Sequence, residues 1–186
     1  MPLTLHIPQG EFWNYFTEEY EYSDAATIHI EHSLAAIAKW EGIWKKPFLG
    51  STSLGNDELR DYIRCMTLED TEDLDPRIYR AISYDNVQAI QAYMESPMTA
   101  TWFKDDKKAK KGGSVGQAIT AEIIYYYMVE LGIPFECENW HFNRLMTLIR
   151  VCSEKQAVPK KMSRKDIFAQ NAALNAKRKA RLGTRG

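Results

Sequence analysis

Cysteine is scarce in this chain. Cys65, Cys137 and Cys152 make an odd set that cannot all pair with one another, which argues against a disulfide framework. No Cys-x2-Cys pair occurs, so a structural zinc site would lack its usual soft ligands. No uncharged apolar run approaches the roughly 18 residues of a membrane-spanning helix. The opening "MPLTLHIPQGEFW" is too short and polar for a secretion leader. No glycine-rich oxyanion loop stands beside a cysteine. The one phosphate-loop lookalike, "KKGGSVGQ", lacks both the Gly-Lys-Ser/Thr order and a preceding apolar strand. There is no internal repeat. These absences predict a protein of a reducing, cytoplasmic compartment that is not an enzyme, with no cofactor, no metal and no membrane contact.

What is present suits a folded domain. The 186 residues are 45% hydrophobic and 12% aromatic, enough for one ordinary core plus an arm. The net charge of −1 hides an asymmetry. Residues 155–186 carry ten Lys or Arg and one acid, Asp166, for +9, while residues 1–154 carry fourteen basic and twenty-four acidic residues, for −10. The chain therefore reads as two parts: a mainly helical acidic domain with short N-terminal strands over 1–154, and a basic, partly mobile arm over 155–186. Such an arm either keeps the protein solvated or docks on an acidic partner or nucleic acid.

The periodicities predict mainly α structure with a small N-terminal β element, an α+β domain followed by a basic helical arm. Leu3, Leu5 and Ile7 alternate with polar residues, and so does "ATIHIEH" through Ile28 and Ile30. The two can pair across the aromatic segment "EFWNYFTEEYEY". Ser33 caps a helix carrying Leu34, Ile37, Ala38, Glu41 and Trp44, with Pro47 and Gly50 as the expected stop. Leu59, Tyr62, Ile63 and Met66 share the stripe of a second helix. "LEDTEDLDP" reads as a surface connection, Pro76 opens a short turn of helix, and Ser83 caps a helix aligning Val87, Ile90 and Met94. Residues 104–114, "KDDKKAKKGGS", read as a flexible loop. "VGQAITAEIIYYYMVELG" is the strongest helix and stops at Gly132 and Pro134. The next helix, Trp140 to Ser153, is expected to be capped by Asn139 and to pack on it as a hairpin. After "AVPKK", Ser163 and Asp166 resemble a capping box for a last helix over about 164–182, too poor in large apolar residues to dock by burial.

"PFECENWHFNRLMTLIRVCSEK", residues 134–155, concentrates the reactive residue types. Cys137 and His141 stand four apart, but the cysteine precedes the expected cap, so the two do not share a helix face. Cys152 falls on the apolar stripe, where a free cysteine acts as a small hydrophobe. Joint replacement of Cys137 and His141 is therefore expected to leave the fold intact. His29, Glu31 and His32 cannot converge within an extended strand, and a satisfied hydrogen bond at the strand–helix junction accounts for them. Trp40, Trp44, Phe48, Trp102, Tyr125, Tyr126 and Tyr127 are mostly core, because an acidic body repels phosphate. The surplus offers an interaction surface. The candidate partner-binding residues are Lys160, Lys161, Arg164, Lys165, Lys177, Arg178, Lys179 and Arg181 of the arm, with Trp44 and Trp102 of the body.

Several stretches taken together resemble a family of tail-region proteins of long-tailed bacteriophages. They are "IHIEHSLAAIAKWEGIWKKPFL", "DYIRCMT", "SPMTATWF", "ITAEIIYYYMVELGIPFECENWHFNRLMTLIRVCS", "PKKMSR" and "NAALNAKRKARLGTRG", spread from about residue 27 to the C-terminus. The resemblance implies a tail assembly chaperone made late in infection. Such a protein acts in the host cytoplasm, coats the tape measure protein while tail-tube subunits polymerise, and is absent from the finished virion. Two other classes fit the residues: a nucleic-acid-binding adaptor using the basic arm, and a structural connector or accessory protein of the virion.

Overall fold

Alternation in "LTLHI" and "ATIHI" gives two strands with one apolar face each, and the chain uses that face to start its core. The computed structural model describes residues 1–50, 54–70, 73–103, 118–156 and 164–183. Strand β1 (Leu3–Ile7) pairs antiparallel with β4 (Ala26–Ile30), in a register that sets Leu3 opposite Ile30 and Ile7 opposite Ala26. Leu5, Ile7, Ile28 and Ile30 are buried on one side, while His6 and Thr27 hydrogen-bond across the ladder at 3.0 Å on the other. Between them the chain folds a second hairpin, β2 (Gly10–Asn14) with β3 (Glu19–Ser23). The aromatic segment, expected only to join two strands, is thus a sheet of its own.

Helix α1 (Leu34–Trp44) follows directly and is the hub of the core. Ser33 accepts the Ala36 N–H as its N-cap. The helix ends at Lys45, in the left-handed conformation at φ 54°, rather than being stopped by Pro47 or Gly50. Its inward residues Leu34, Ala36, Ile37 and Trp40 are almost fully buried. They meet α2 (Asn56–Met66), α4 (Ala121–Leu131) and the 3-10 turn Phe135–Asn139. The Trp40 indole donates to the Glu58 carbonyl at 2.9 Å, so its ring is buried without orphaning its N–H. Helix α2 delivers Tyr62, Ile63 and Met66 to the same core. Past its end, Leu68 N–H donates to His29 O and Glu31 N–H to Met66 O, lining the free edge of β4. The 3-10 turn Pro76–Arg80 and α3 (Tyr84–Glu95), capped by Ser83 as expected, close the sheet side of the core.

Helix α4 begins at Ala121, after an extended Thr120, and not at the start of the apolar run. It stops at Gly132 with φ 67°. Helix α5 spans Phe142–Gln156 and buries Phe142, Leu145 and Ile149, whereas Met146 is exposed. Asn139 does not cap it. Asn139 is the last residue of the 3-10 turn, and the His141 carbonyl accepts the first helical N–H groups, from Arg144 and Leu145. Between α4 and α5 the chain forms the 3-10 turn Phe135–Asn139, which packs on α1. The mainly helical α+β class expected from periodicity holds among the described residues.

Backbone contacts divide the chain into two compact units, Met1–Ser153 and Glu154–Gly186. Within the second, α6 runs from Arg164 to Leu182, and all its described side chains are exposed. The loop expected at 104–114, the glycine segment "KKGGSVGQ", "AVPKK" and Ser163 lie outside the described residues.

Candidate functional site

Of the reactive residues singled out in the sequence, Glu31, His32 and His141 are brought together, as part of a buried hydrogen-bonded cluster. The end of β4 turns inward at Glu31 and His32, and both side chains are buried. An isolated bridge joins Ser33 to His141, and Phe142 N–H donates to His32 O at 2.7 Å, which pins the start of α5 against the β4–α1 junction. The imidazoles of His32 and His141, 109 positions apart, then face each other with ring centroids 5.4 Å apart.

The hydrogen bonds settle the state of His141. Its Nε2 lies 3.1 Å from the Tyr93 carbonyl, which can only accept, so Nε2 carries the proton. Nδ1 is then free to accept from Asn143 N–H at 3.3 Å. Burial lowers the His141 pKa, and burial reinforced by His141 lowers that of His32 to about 4. Both rings are therefore neutral at pH 7. His32 Nδ1 and the Tyr62 hydroxyl share a hydrogen bond of 2.5 Å. Tyr93 donates to Glu31 Oε1 at 2.6 Å, and burial first, then that carboxylate, raises the Tyr93 pKa.

This cluster couples β4, α2, α3 and α5 and leaves His141 no nitrogen lone pair for a ligand. Among the described residues no group of three His, Cys, Asp or Glu is placed to hold a metal ion. Cys137 is buried in the 3-10 turn, and burial raises its pKa, as it does that of Cys65. The expectation that Cys137 and His141 are jointly replaceable needs correcting at the histidine, because both of its nitrogens are engaged. His29 stays outside, paired with Glu69 at 2.6 Å.

The surface candidates separate. Trp44 is half-buried, stacked on Trp40 at 6.1 Å, and donates to Asp61 Oδ2 at 3.0 Å. Trp102 is exposed, 79% of its surface being open. Neighbouring Phe103 lies under the Arg150 guanidinium at 3.7 Å. Lys177, Arg178, Lys179 and Arg181 are exposed on α6, with Lys177 and Arg181 one turn apart. Lys160 and Lys161 lie outside the described residues, as do the side chains of Arg164 and Lys165.

Two apolar surfaces stand open, one of them carrying Tyr126 and Tyr127 from the aromatic set named in the sequence. Helix α4 packs Ala121, Ile124 and Met128 inward, yet Tyr126 and Val129 are 60% and 62% exposed, and Tyr127, Ile119 and Phe135 are also open. Its N-terminus is tied down by Glu41 of α1. That buried carboxylate accepts Ala121 N–H at 2.8 Å through Oε2 and Phe48 N–H at 2.7 Å through Oε1. The second surface is the β2–β3 hairpin. One face, Phe12 and Glu21, is covered by Arg80, which sits over the Phe12 ring at 4.8 Å and bonds Glu21 at 2.9 Å. The other face carries Glu11, Trp13, Tyr20 and Tyr22 in open solvent.

No family model, curated protein or solved structure matches this chain.

Proposed function

We propose that the chain is a tail assembly chaperone of long-tailed bacteriophages, one that holds the tape measure protein in the host cytoplasm while tail-tube subunits assemble around it. The stretches from about residue 27 onward resemble such a family, and that resemblance implies the client. The observation that carries the reading is the open outer side of α4. The outer side of α4 sets large apolar residues in solvent between Glu122 and Glu130, whereas a surface helix ordinarily turns such residues toward a core or a partner. Here the inner side packs on α1, and Tyr126, Tyr127 and Val129 remain uncovered beside Ile119 and Phe135. Large aromatics carry much of the energy of protein interfaces, and an amphipathic client helix laid on such a face would hide its own apolar stripe.

The basic helical arm from residue 155 is the second element of this reading. Lys160, Lys161, Arg164, Lys165, Lys177, Arg178, Lys179 and Arg181 would engage acidic surface on the client or on tube subunits, and the protein would leave before the virion is complete. Proteomics of infected cells and of purified particles tests this. The chaperone reading expects the chain in late lysates and not in particles. A fixed copy number in the particle would make it a connector. Retention by host or phage DNA, lost when residues 155–186 are deleted, would make it a nucleic-acid adaptor.

A further inference from the structure

The β2–β3 hairpin presents an exposed aromatic and acidic face. Opposed residues of an antiparallel pair lie on the same side, so the register Glu11 with Tyr22 and Trp13 with Tyr20 sets these four side chains in one patch. Trp13, Tyr20 and Tyr22 are 39%, 58% and 60% exposed. Trp13 and Tyr20 meet edge to face at 5.0 Å, and Tyr22 OH donates to Glu11 Oε1 at 3.3 Å. The loop beyond them holds Tyr15 and Phe16 in solvent. An open apolar patch of this kind on a small domain is the ordinary mark of an interaction site.

Its charge selects the occupant. Residues 1–38 contain six acids and not one Lys or Arg. Glu11 shares the patch with the rings, Glu18 and Asp24 are exposed beside the hairpin, and Glu19, opposite Asn14, is exposed on its other side. Arg80 lies over the Phe12 ring and bonds Glu21 on the side away from the patch, and Arg77 is engaged with Asp75. An aromatic face with one carboxylate on it and others around it attracts Lys and Arg twice, through the ring quadrupole and through the charge, while the same carboxylates repel nucleic-acid phosphate. We propose that the outer face of the β2–β3 hairpin is a docking site for a lysine- and arginine-rich segment of a partner protein. It is separate from the α4 face and does not depend on the identity of the client.

The probe is a fluorescein-labelled peptide of repeating Lys-Ala-Arg-Leu units, compared by anisotropy with one of repeating Glu-Ala-Gln-Leu units on the full chain. The basic peptide should bind and the acidic one should not, and raising salt from about 0.1 M to about 0.5 M should weaken binding. Trp13→Ser with Tyr20→Ser should lower affinity about fivefold or more. Glu11→Gln with Glu18→Gln and Glu19→Gln leaves the rings in place and should lower it comparably, so loss of fold in the first variant would not mask the result. Equal affinity for both peptides, or unchanged affinity in the charge variant, would overturn the proposal. So would a wild-type dimer that the same substitutions dissolve, which would make this face a contact between copies.

Discussion

Replacing Glu41 should loosen α4 without touching any residue of its exposed face. The Glu41 carboxylate is 8% exposed and accepts two backbone N–H groups, Phe48 after α1 and Ala121 at the start of α4. Ala121 is fully buried, and Thr120 makes no side-chain cap, so no other described side chain takes over that N–H. Glu41→Ala strands both donors. At about 1–3 kcal/mol for each buried group left unsatisfied, the loss is roughly 2–6 kcal/mol. A carboxylate at a helix N-terminus also gains about 0.3–1 kcal/mol from the helix dipole. Glu41→Gln keeps one acceptor oxygen and turns an NH2 toward the other donor, so it should lose about half as much. Urea denaturation of the three proteins, with hydrogen exchange at the first turn of α4, reads this gradient. If Glu41→Ala unfolds within about 0.5 kcal/mol of wild type, the capping account of α4 is wrong.

The remaining expectations concern other parts of the body. His32 has a folded pKa of about 4 against an ordinary 6.5, so the unfolded chain binds the proton more readily. Its contribution is complete above about pH 6.5 and fades toward pH 4, by roughly 3 kcal/mol in all. Urea midpoints measured from about pH 7.5 to pH 4 should show this slope flattened in His32→Gln, and equal slopes would refute it. Ser23 Oγ is buried without a hydrogen-bond partner, so Ser23→Ala should be neutral or stabilise by about 1 kcal/mol, and a marked loss would reveal a missed partner. Leu145 is fully buried on α5. Leu145→Ala should cost roughly 2–5 kcal/mol, while Trp102→Ser should shift the denaturation midpoint little.

Local signals in the sequence are followed closely by the structure. The alternation of β1 and β4, the Ser33 and Ser83 caps, the Pro76 turn and the Gly132 stop all depend on neighbours a few residues away. The β2–β3 hairpin is hidden for a physical reason. Its loop has no glycine. Asn14 Oδ1 accepts from Phe16 N–H at 2.9 Å, and Glu18 takes the left-handed conformation at φ 55°, where glycine or asparagine would have been the visible signal. Lys45 hides the end of α1 in the same way. The link between α4 and α5 holds a feature the sequence pattern does not announce, since five of its residues form a 3-10 turn with its own contacts to α1.

Legibility of the candidate site divides similarly. The polar character of His32 and His141 is visible in the sequence, but their meeting depends on a bridge between Ser33 and His141 that no local pattern contains. Trp44 looks like spare aromatic surface until its indole is seen bonded to Asp61. The "YYY" run of α4 does not declare which tyrosine is outward. Tyr125 donates to Glu138 at 2.6 Å and is half-buried, while its two neighbours are open.

The proposed function requires a long helical tape measure protein to bind the outer side of α4. Co-expression of the two proteins, followed by affinity capture of this chain, measures it directly. The account predicts that the tape measure protein becomes soluble and co-purifies. Tyr126→Ser with Val129→Ser, both exposed positions, should lose the client while keeping the wild-type denaturation midpoint. A tape measure protein that stays insoluble, or one captured equally well by the α4 variant, would contradict the account.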